Sequence, residues 1–334
     1  MKFGPTPLAE AEGAVLAHSV ATPEGRLRKG TVLDAGAVAR LRAAGLSEVI
    51  AARLEPGDVG ENPAAARLAA AICGDGLELR EAFTGRANLH AEGPGILRVD
   101  AEKIAAANAV DPTITVATLP EWQRVTAGMM AATVKIIAYA VDGAALDRAC
   151  AAGRGALSLA RPVVPRADLI VTELDGAADG AEAVAMRLDR LGIAYAIHRV
   201  PHTAETLRAA LAGCRAPLRL VLTASATSDI RDVGPAALVA AGGRLTRFGM
   251  PVDPGNLLFL GTLDGAEVIG LPGCARSPAL NGADWVLERV ACGVPVGDAE
   301  IAAMGVGGLL KEIPTRPQPR ERRRRAQPRG DAAK

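Results

Sequence analysis

The sequence predicts an α/β protein: a three-layer domain whose parallel sheet carries helices on both faces, preceded by a smaller α+β N-terminal region. Three observations carry this expectation. Strand-like and helix-like stretches alternate with short connections through the second half of the chain. The apolar fraction is 49% but the aromatic fraction only 2%, so the core must be built from Ala, Val and Leu on helices and strands. At 334 residues the chain also exceeds one ordinary core and fits about two domains.

In the first half, residues 14–20 read as a strand, Pro23, Glu24 and Gly25 as a turn, and the residues after them as a second strand. A helix then opens at Asp34, a natural N-cap, and closes at Gly45, a natural left-handed C′ residue. Glu61-Asn62 begins a helix that runs Ala-rich over residues 63–73, and residues 96–108 read as a short strand followed by a helix. Residues 134–141 read as a buried strand near the end of this region. Its one charge, Lys135, either pairs with a buried carboxylate or buries its stem and keeps its ammonium in water.

The second half has a stricter rhythm. Residues 168–172 (DLIVT) form a strand, and Ala181, Val184, Ala185, Leu188 and Leu191 recur at helical spacing before Gly192 ends the helix. A strand at 193–198, a helix at 203–211 and a strongly apolar strand at 218–223 complete a βαβαβ unit, whose natural product is a parallel sheet. A short helix follows Pro235 and is bounded by Gly242 and Gly243. Asp264-Gly265 signals a hairpin, and a strand at 267–271 leads to a last helix. The boundary is expected within 143–165, which divides the chain into residues 1–150, residues 151–313 and a Pro- and Arg-rich stretch at 314–334. That stretch lacks apolar periodicity and reads as a disordered basic tail.

Composition also excludes classes. The formal net charge is +1 and the local positive excess is the terminal Arg run, so the folded body offers no field for nucleic acid and few aromatic platforms for single strands. The cysteines (Cys73, Cys150, Cys214, Cys274, Cys292) are scattered, odd in number and free of any C-x-x-C pair, which argues against a disulfide framework or a zinc knuckle. No apolar run reaches membrane-spanning length and the N-terminus lacks an apolar signal region, so a reducing, cytoplasmic setting is expected.

Ligands of parallel α/β sheets bind beyond the carboxyl ends of the strands, where loops lead into helix N-termini. Two junctions have that form. Residues 223–232 gather four hydroxyls, two carboxylates and a guanidinium in TASATSDIRD. Residues 271–278 (LPGCARSP) read as a loop with Ser277 as N-cap and Pro278 as first helical residue, directing N–H groups and Arg276 at an anion. His202, after Pro201 at a helix start, reads as an exposed loop residue, and Cys274 as a small packing residue.

Residues 223–237, TASATSDIRDVGPAA, resemble the T-G-G-T-G…R-D-V-T-P-x-A signature of molybdopterin adenylyltransferases and of the related domain of molybdopterin molybdotransferases. Residues 249–277, from GMPVDPGNLLFLG to VIGLPGCARS, resemble the P-G-x-P…G-L-P-G-x-P-x-S stretch of the same group. DVGENPAAARLA, TGRANL and MMAATVKIIAYAV look like the N-terminal part of a branch in which a molybdotransferase-like region precedes a nucleotidyltransferase domain. The likeness runs to about residue 313.

The resemblance implies a molybdopterin-binding-like domain that takes molybdopterin or its nucleotide-activated form in molybdenum-cofactor biosynthesis. It implies catalytic carboxylates at Asp232 and Asp229, magnesium at Asp232 and Glu173, and ligand contacts from Thr172, Glu173, Thr223, Ser225, Thr227, Gly273, Cys274, Arg276 and Ser277. It further implies a separate nucleotidyltransferase as partner, since ERRRRAQPRGDAAK stands where that domain would follow, and a tendency to self-associate as a homo-oligomer.

The departures shape the expectation. Ala224 and Ser225 replace the paired glycines, Thr227 the next glycine and Ala275 a proline, and His202 stands where the family has an acidic residue after Val-Pro. Cβ atoms at these positions hinder close backbone approach to a phosphate. A binding or carrier module with weak or no turnover is therefore expected. An active magnesium-dependent adenylyltransferase or molybdotransferase and a damage-inducible-type nucleotide hydrolase stay open as alternatives.

Overall fold

The computed structural model describes residues 1–176 and 179–310, so the expected tail at 314–334 lies outside the described residues. The chain forms two compact units. The first comprises Met1–Pro165 with Leu188–Ala194 and Glu288–Pro295; the second comprises Arg166–Arg187, Tyr195–Leu287 and the residues from Val296 onward.

The first unit is the larger of the two by residues and is built on small antiparallel sheets. Strands Lys2–Pro7, Glu48–Arg53 and Val15–Leu16 form one of them. Beside it runs the helix Ala35–Ala43, capped by the Asp34 carboxylate on the Ala37 N–H at 2.7 Å and followed by Gly45 at φ +82°. A second sheet of four strands backs onto the helix Glu61–Ile72 through Leu68, Ile72, Leu89 and Val134.

Here the expected 134–141 strand divides. Met130–Ile136 pairs in the four-stranded sheet, and Ala140–Asp142 pairs separately with Asp58–Gly60. Lys135 donates to the Thr84 carbonyl rather than entering the core. Residues 143–165 carry the helix Gly143–Gly153 and the strand Leu157–Ala160, both packed inside this unit.

The second unit is the α/β domain. Its elements are β1 (Arg166–Glu173), α1 (Ala181–Leu191), β2 (Ala194–Pro201), α2 (Ala204–Gly213), β3 (Leu218–Leu222), α3 (Val233–Ala240), β4 (Arg244–Phe248), β5 (Phe259–Leu263), β6 (Ala266–Leu271) and α4 (Gly282–Ala291), of which the last residues of α1 and α4, from Leu188 and Glu288, and the first of β2, Ala194, group with the first unit. The six strands lie in the order β2-β1-β3-β6-β5-β4. β1, β3 and β6 run parallel, whereas β4 and β5 complete the edge in antiparallel fashion.

Alternation along the strands explains the layering. Ile170, Val221 and Val268 pack on Leu207 and Leu211 of α2 and on Ala237 and Leu238 of α3. Their neighbours Leu169, Leu220 and Ile269 point the other way and are equally buried, as are Val184 of α1 and Val286 and Leu287 of α4. Helices thus cover both faces. The Asp264-Gly265 turn is left-handed at both residues, φ +51° and +78°, and joins β5 to β6 as a hairpin. β6 brings Gly270 under the ring of Phe259, its cross-strand partner; a Cβ at Gly270 would lie 1.9 Å from Phe259 Cε1.

One local expectation is overturned. Ser277 does not cap a helix and Pro278 does not begin one. Gly273–Arg276 form a single 3-10 turn, and α4 starts at Gly282 with the Asn281 side-chain oxygen accepting the Ala283 N–H at 2.9 Å. The cause is buried Arg187 of α1. Its guanidinium takes the carbonyls of Ala275 at 2.9 Å, Ser277 at 2.9 Å and Ala279 at 3.0 Å, so these groups face a side chain instead of a helical ladder. Arg187 is held in turn by Asp284 of α4, 2.5 Å away, and both residues are buried.

Candidate functional site

The parallel register sets Val171 of β1 beside Leu222 of β3, and Leu222 beside Leu271 of β6. The residues that follow, Thr172, Thr223 and Pro272, therefore stand at one carboxyl edge. The loops predicted at Thr223 and Gly273 do converge: the Arg276 guanidinium donates to the Thr223 carbonyl. The Arg276 stem crosses Gly180, where a Cβ would come within 2.3 Å of Arg276 Cγ.

Three threonines are buried at this edge, Thr172, Thr223 and Thr227. Thr223 Oγ1 donates to the Ser225 carbonyl at 2.9 Å and lies 3.2 Å from Thr227 Oγ1, which folds the loop back on itself. Thr172 Oγ1 accepts the Ala224 N–H at 2.8 Å and lies 2.8 Å from His202 Nδ1. The other imidazole nitrogen, Nε2, lies 2.8 Å from Ser225 Oγ. Among the described residues, no acceptor is found for the backbone N–H groups of Ser225, Ala226 and Thr227.

His202 corrects the sequence reading, which took it for an exposed loop residue. Its backbone N–H donates to the Glu173 carbonyl at 2.9 Å, and its ring is partly buried between Thr172 and Ser225. Proton accounting assigns the tautomer. Thr172 is buried, and among the described residues its hydroxyl proton has no acceptor other than Nδ1, so that proton goes to Nδ1. Nε2 then carries the ring proton and donates it to Ser225 Oγ, leaving the Ser225 hydroxyl proton free for a ligand. In this state Ser225 serves as a hydrogen-bond donor, not as an activated nucleophile.

Each of the three expected carboxylates has a partner of its own. Asp232, the N-cap residue of α3, accepts the Ser228 N–H at 2.8 Å and braces the loop. Asp229 is exposed and bound to its neighbour Arg231, whose guanidinium and N–H hold its carboxyl below the usual range. Glu173 lies 3.4 Å from Arg199 Nη1. Among the described residues none of these three belongs to a set of three His, Cys, Asp or Glu ligand atoms within 4.8 Å of one another. Asp232 and Glu173 are the two carboxylates that would hold magnesium, an ion that commonly takes one or two protein carboxylates and completes its shell with water and substrate phosphate.

The remaining expected contacts sit on the 3-10 turn. Burial pushes the Cys274 thiol up, so it stays protonated and weakly reactive, and the Cys274 carbonyl accepts the Ser277 N–H at 3.1 Å. Burial also lowers Arg276, against the opposing charge of Asp179. Arg187, which shapes this whole turn, has no mark in the sequence beyond being one more charge on a helix.

A cavity of about 430 Å³ opens where β1 ends, lined among others by Thr172, Glu173, Asp175, Asp179 and Arg199. Its size lies within the range of small-molecule sites. Arg199 pairs with Asp179 through two bonds of 2.7 and 2.9 Å and holds that carboxyl below its usual range. Thr172 lines the cavity and also anchors His202, so the acidic cavity and the N–H groups around Ser225 meet at one residue.

A family model described as a domain of unknown function (DUF8806) matches residues 5–53, the span of the N-terminal antiparallel sheet and its helix. Among solved structures, a molybdopterin biosynthesis MoeA protein from Pyrococcus horikosii is similar at 12% identity, covering 88% of this chain and 74% of that one, with a TM-score of 0.28. At that score the likeness carries no argument. No curated protein matches this chain. Among the described residues no helix is long and apolar enough to cross a membrane.

Proposed function

We propose that the second unit binds an anionic pterin of the molybdopterin class at the carboxyl edge of its sheet, and holds it rather than turning it over. The observation that carries this reading is the chain from Thr172 through His202 to Ser225, which presents the Ser225 hydroxyl proton beside the three unclaimed N–H groups of residues 225–227. Donors of this kind gathered in one short loop suit a phosphate monoester. The cavity beyond Thr172 suits the other end of the ligand. A pterin ring offers adjacent N–H donors to a carboxylate, and Glu173 and Asp175 line that cavity.

The same geometry favours holding over transfer. Asp232 is spent on the loop, Ser225 is a donor, and the glycines that let a nucleotide approach closely are replaced by Ala224 and Ser225. Delivery to a separate nucleotidyltransferase belongs to this proposal. Equilibrium binding of anaerobic molybdopterin to the full chain tests it: saturable binding that is lost in Ser225→Asp supports the reading, and no binding overturns it. Incubation with molybdopterin, magnesium and ATP tests the second clause. Adenylylated product formed at many turnovers, and abolished by Asp232→Asn, would replace the carrier with an enzyme.

A further inference from the structure

The opposite end of the sheet holds a second cluster that the pterin reading does not use. Asp168 near the start of β1, His198 of β2 and Cys214, the C-cap residue of α2, bring a carboxylate oxygen, an imidazole nitrogen and a thiol sulfur within 4.8 Å of one another. Among the described residues this is the one such set of three. His198 Nε2 lies 3.0 Å from Asp168 Oδ1. Asp168 Oδ2 accepts the backbone N–H groups of Arg215 at 3.0 Å and Ala216 at 2.9 Å.

We propose that Asp168, His198 and Cys214 form a zinc-binding site with its fourth position open to water. Nitrogen, sulfur and oxygen are the donors zinc takes, and three protein ligands with one open position is its usual arrangement outside closed structural sites. Two ligands bonded at about 2.0–2.3 Å in tetrahedral geometry stand roughly 3.3–3.8 Å apart, which small side-chain adjustments reach from the observed spacing. The backbone bonds to Oδ2 orient the carboxylate and leave Oδ1 for a cation, the outer-shell arrangement that metal-binding carboxylates need. Access is provided by His198, whose side chain is 42% exposed, while Asp168 and Cys214 are buried.

The surrounding charge is positive. Arg166 reaches 4.0 Å from Asp168 Oδ1, and Arg219, buried on β3, is the register partner of Asp168. Two anionic ligands neutralise a dication, so these guanidinium groups would face a centre of zero net charge. On binding, the Cys214 thiol gives its proton to solvent, the Sγ–zinc bond forms and zinc releases coordinated waters, with no change of oxidation state. In the metal-free state the buried Cys214 thiol hydrogen-bonds the Asp168 carboxylate, and burial beside that charge pushes it up to about 12, so zinc must displace this proton as it binds.

Cobalt(II) added to the chelator-treated full chain provides the test. One equivalent should produce a thiolate-to-cobalt charge-transfer band with tetrahedral visible absorption, bleached by stoichiometric zinc. Cys214→Ser should abolish that band, and His198→Gln should weaken binding by about tenfold or more. Cys274→Ser and Cys292→Ser should leave it unchanged. Absence of the band, or a band that survives both Cys214→Ser and His198→Gln, overturns the proposal. His198→Gln alters a half-exposed side chain, so its result stands even where Cys214→Ser fails to fold, and neither measurement depends on pterin binding.

Discussion

Ser225 Oγ stands 2.8 Å from Nε2 of His202, a residue 23 positions earlier in the chain, and the same ring reaches Thr172 with its other nitrogen at 2.8 Å. The imidazole is thus a spacer that fixes the Ser225 hydroxyl at the mouth of the site. Ser225→Ala should weaken molybdopterin binding by about 1.5–3 kcal/mol, the net worth of a hydrogen bond to a charged group, with little change in thermal midpoint. Thr172→Val should lose affinity and also stability, about 1–3 kcal/mol, because it strands the Ala224 N–H and His202 Nδ1. Calorimetric titration and thermal melts of both variants check this; equal affinity in Ser225→Ala would remove Ser225 from the site.

Arg187 and Asp284 form a buried ion pair whose guanidinium also holds three loop carbonyls. Removing one partner leaves a buried charge uncompensated, so Arg187→Ala should cost about 3–5 kcal/mol. The double variant with Asp284→Ala should cost less than the sum of the two single changes. Urea unfolding of the three variants supplies the numbers, and additive losses would contradict a coupled pair.

Phe259 lies flat over Gly270 across the β5–β6 pair. Gly270→Ala pushes a methyl into the ring and should destabilise by about 1–3 kcal/mol. Phe259→Leu in that background should restore part of the loss by clearing space. A Gly270→Ala protein with the parental thermal midpoint would show that the ring moves aside freely.

Glu267 of β6 supplies a pH signature. Burial raises its carboxyl above the ordinary glutamate range, and nearby Arg244 offsets this only in part. A group raised in the folded state contributes stability that is fully present below its unfolded value and is lost as pH rises through the folded one. Glu267→Gln lacks that loss. Its stability relative to the parent should therefore grow as pH climbs from the ordinary carboxylate range through the raised value, then level off. Denaturant midpoints measured across that window decide it; a constant difference would show that Glu267 titrates normally.

Much of the architecture was legible in the chain. Asp34 and Gly45 bound a helix because capping is settled within a few residues, and Asp264-Gly265 make a hairpin because few other pairs tolerate two left-handed residues. The apolar β1 and β3 segments, spaced by amphipathic helices, read as a parallel sheet, and from that sheet the convergence of the Thr223 and Gly273 loops followed. Periodicity and caps are local signals, written in side chains less than two turns apart.

Tertiary structure decided what depends on crossovers. His202 looked like an ordinary loop residue until β1 and β3 became neighbours and placed Thr172 and Ser225 on either side of its ring. Ser277-Pro278 have the local form of a helix start, yet Arg187, 90 residues away from Ser277, draws the carbonyls there and moves the helix to Gly282. Asp168, His198 and Cys214 carry no metal-binding spacing at all and meet only because successive β-α-β crossovers return the chain to the same end of one sheet. Residues at such separations are joined by strand register and helix packing, which depend on how the whole domain buries its apolar surface, so no window of sequence contains them.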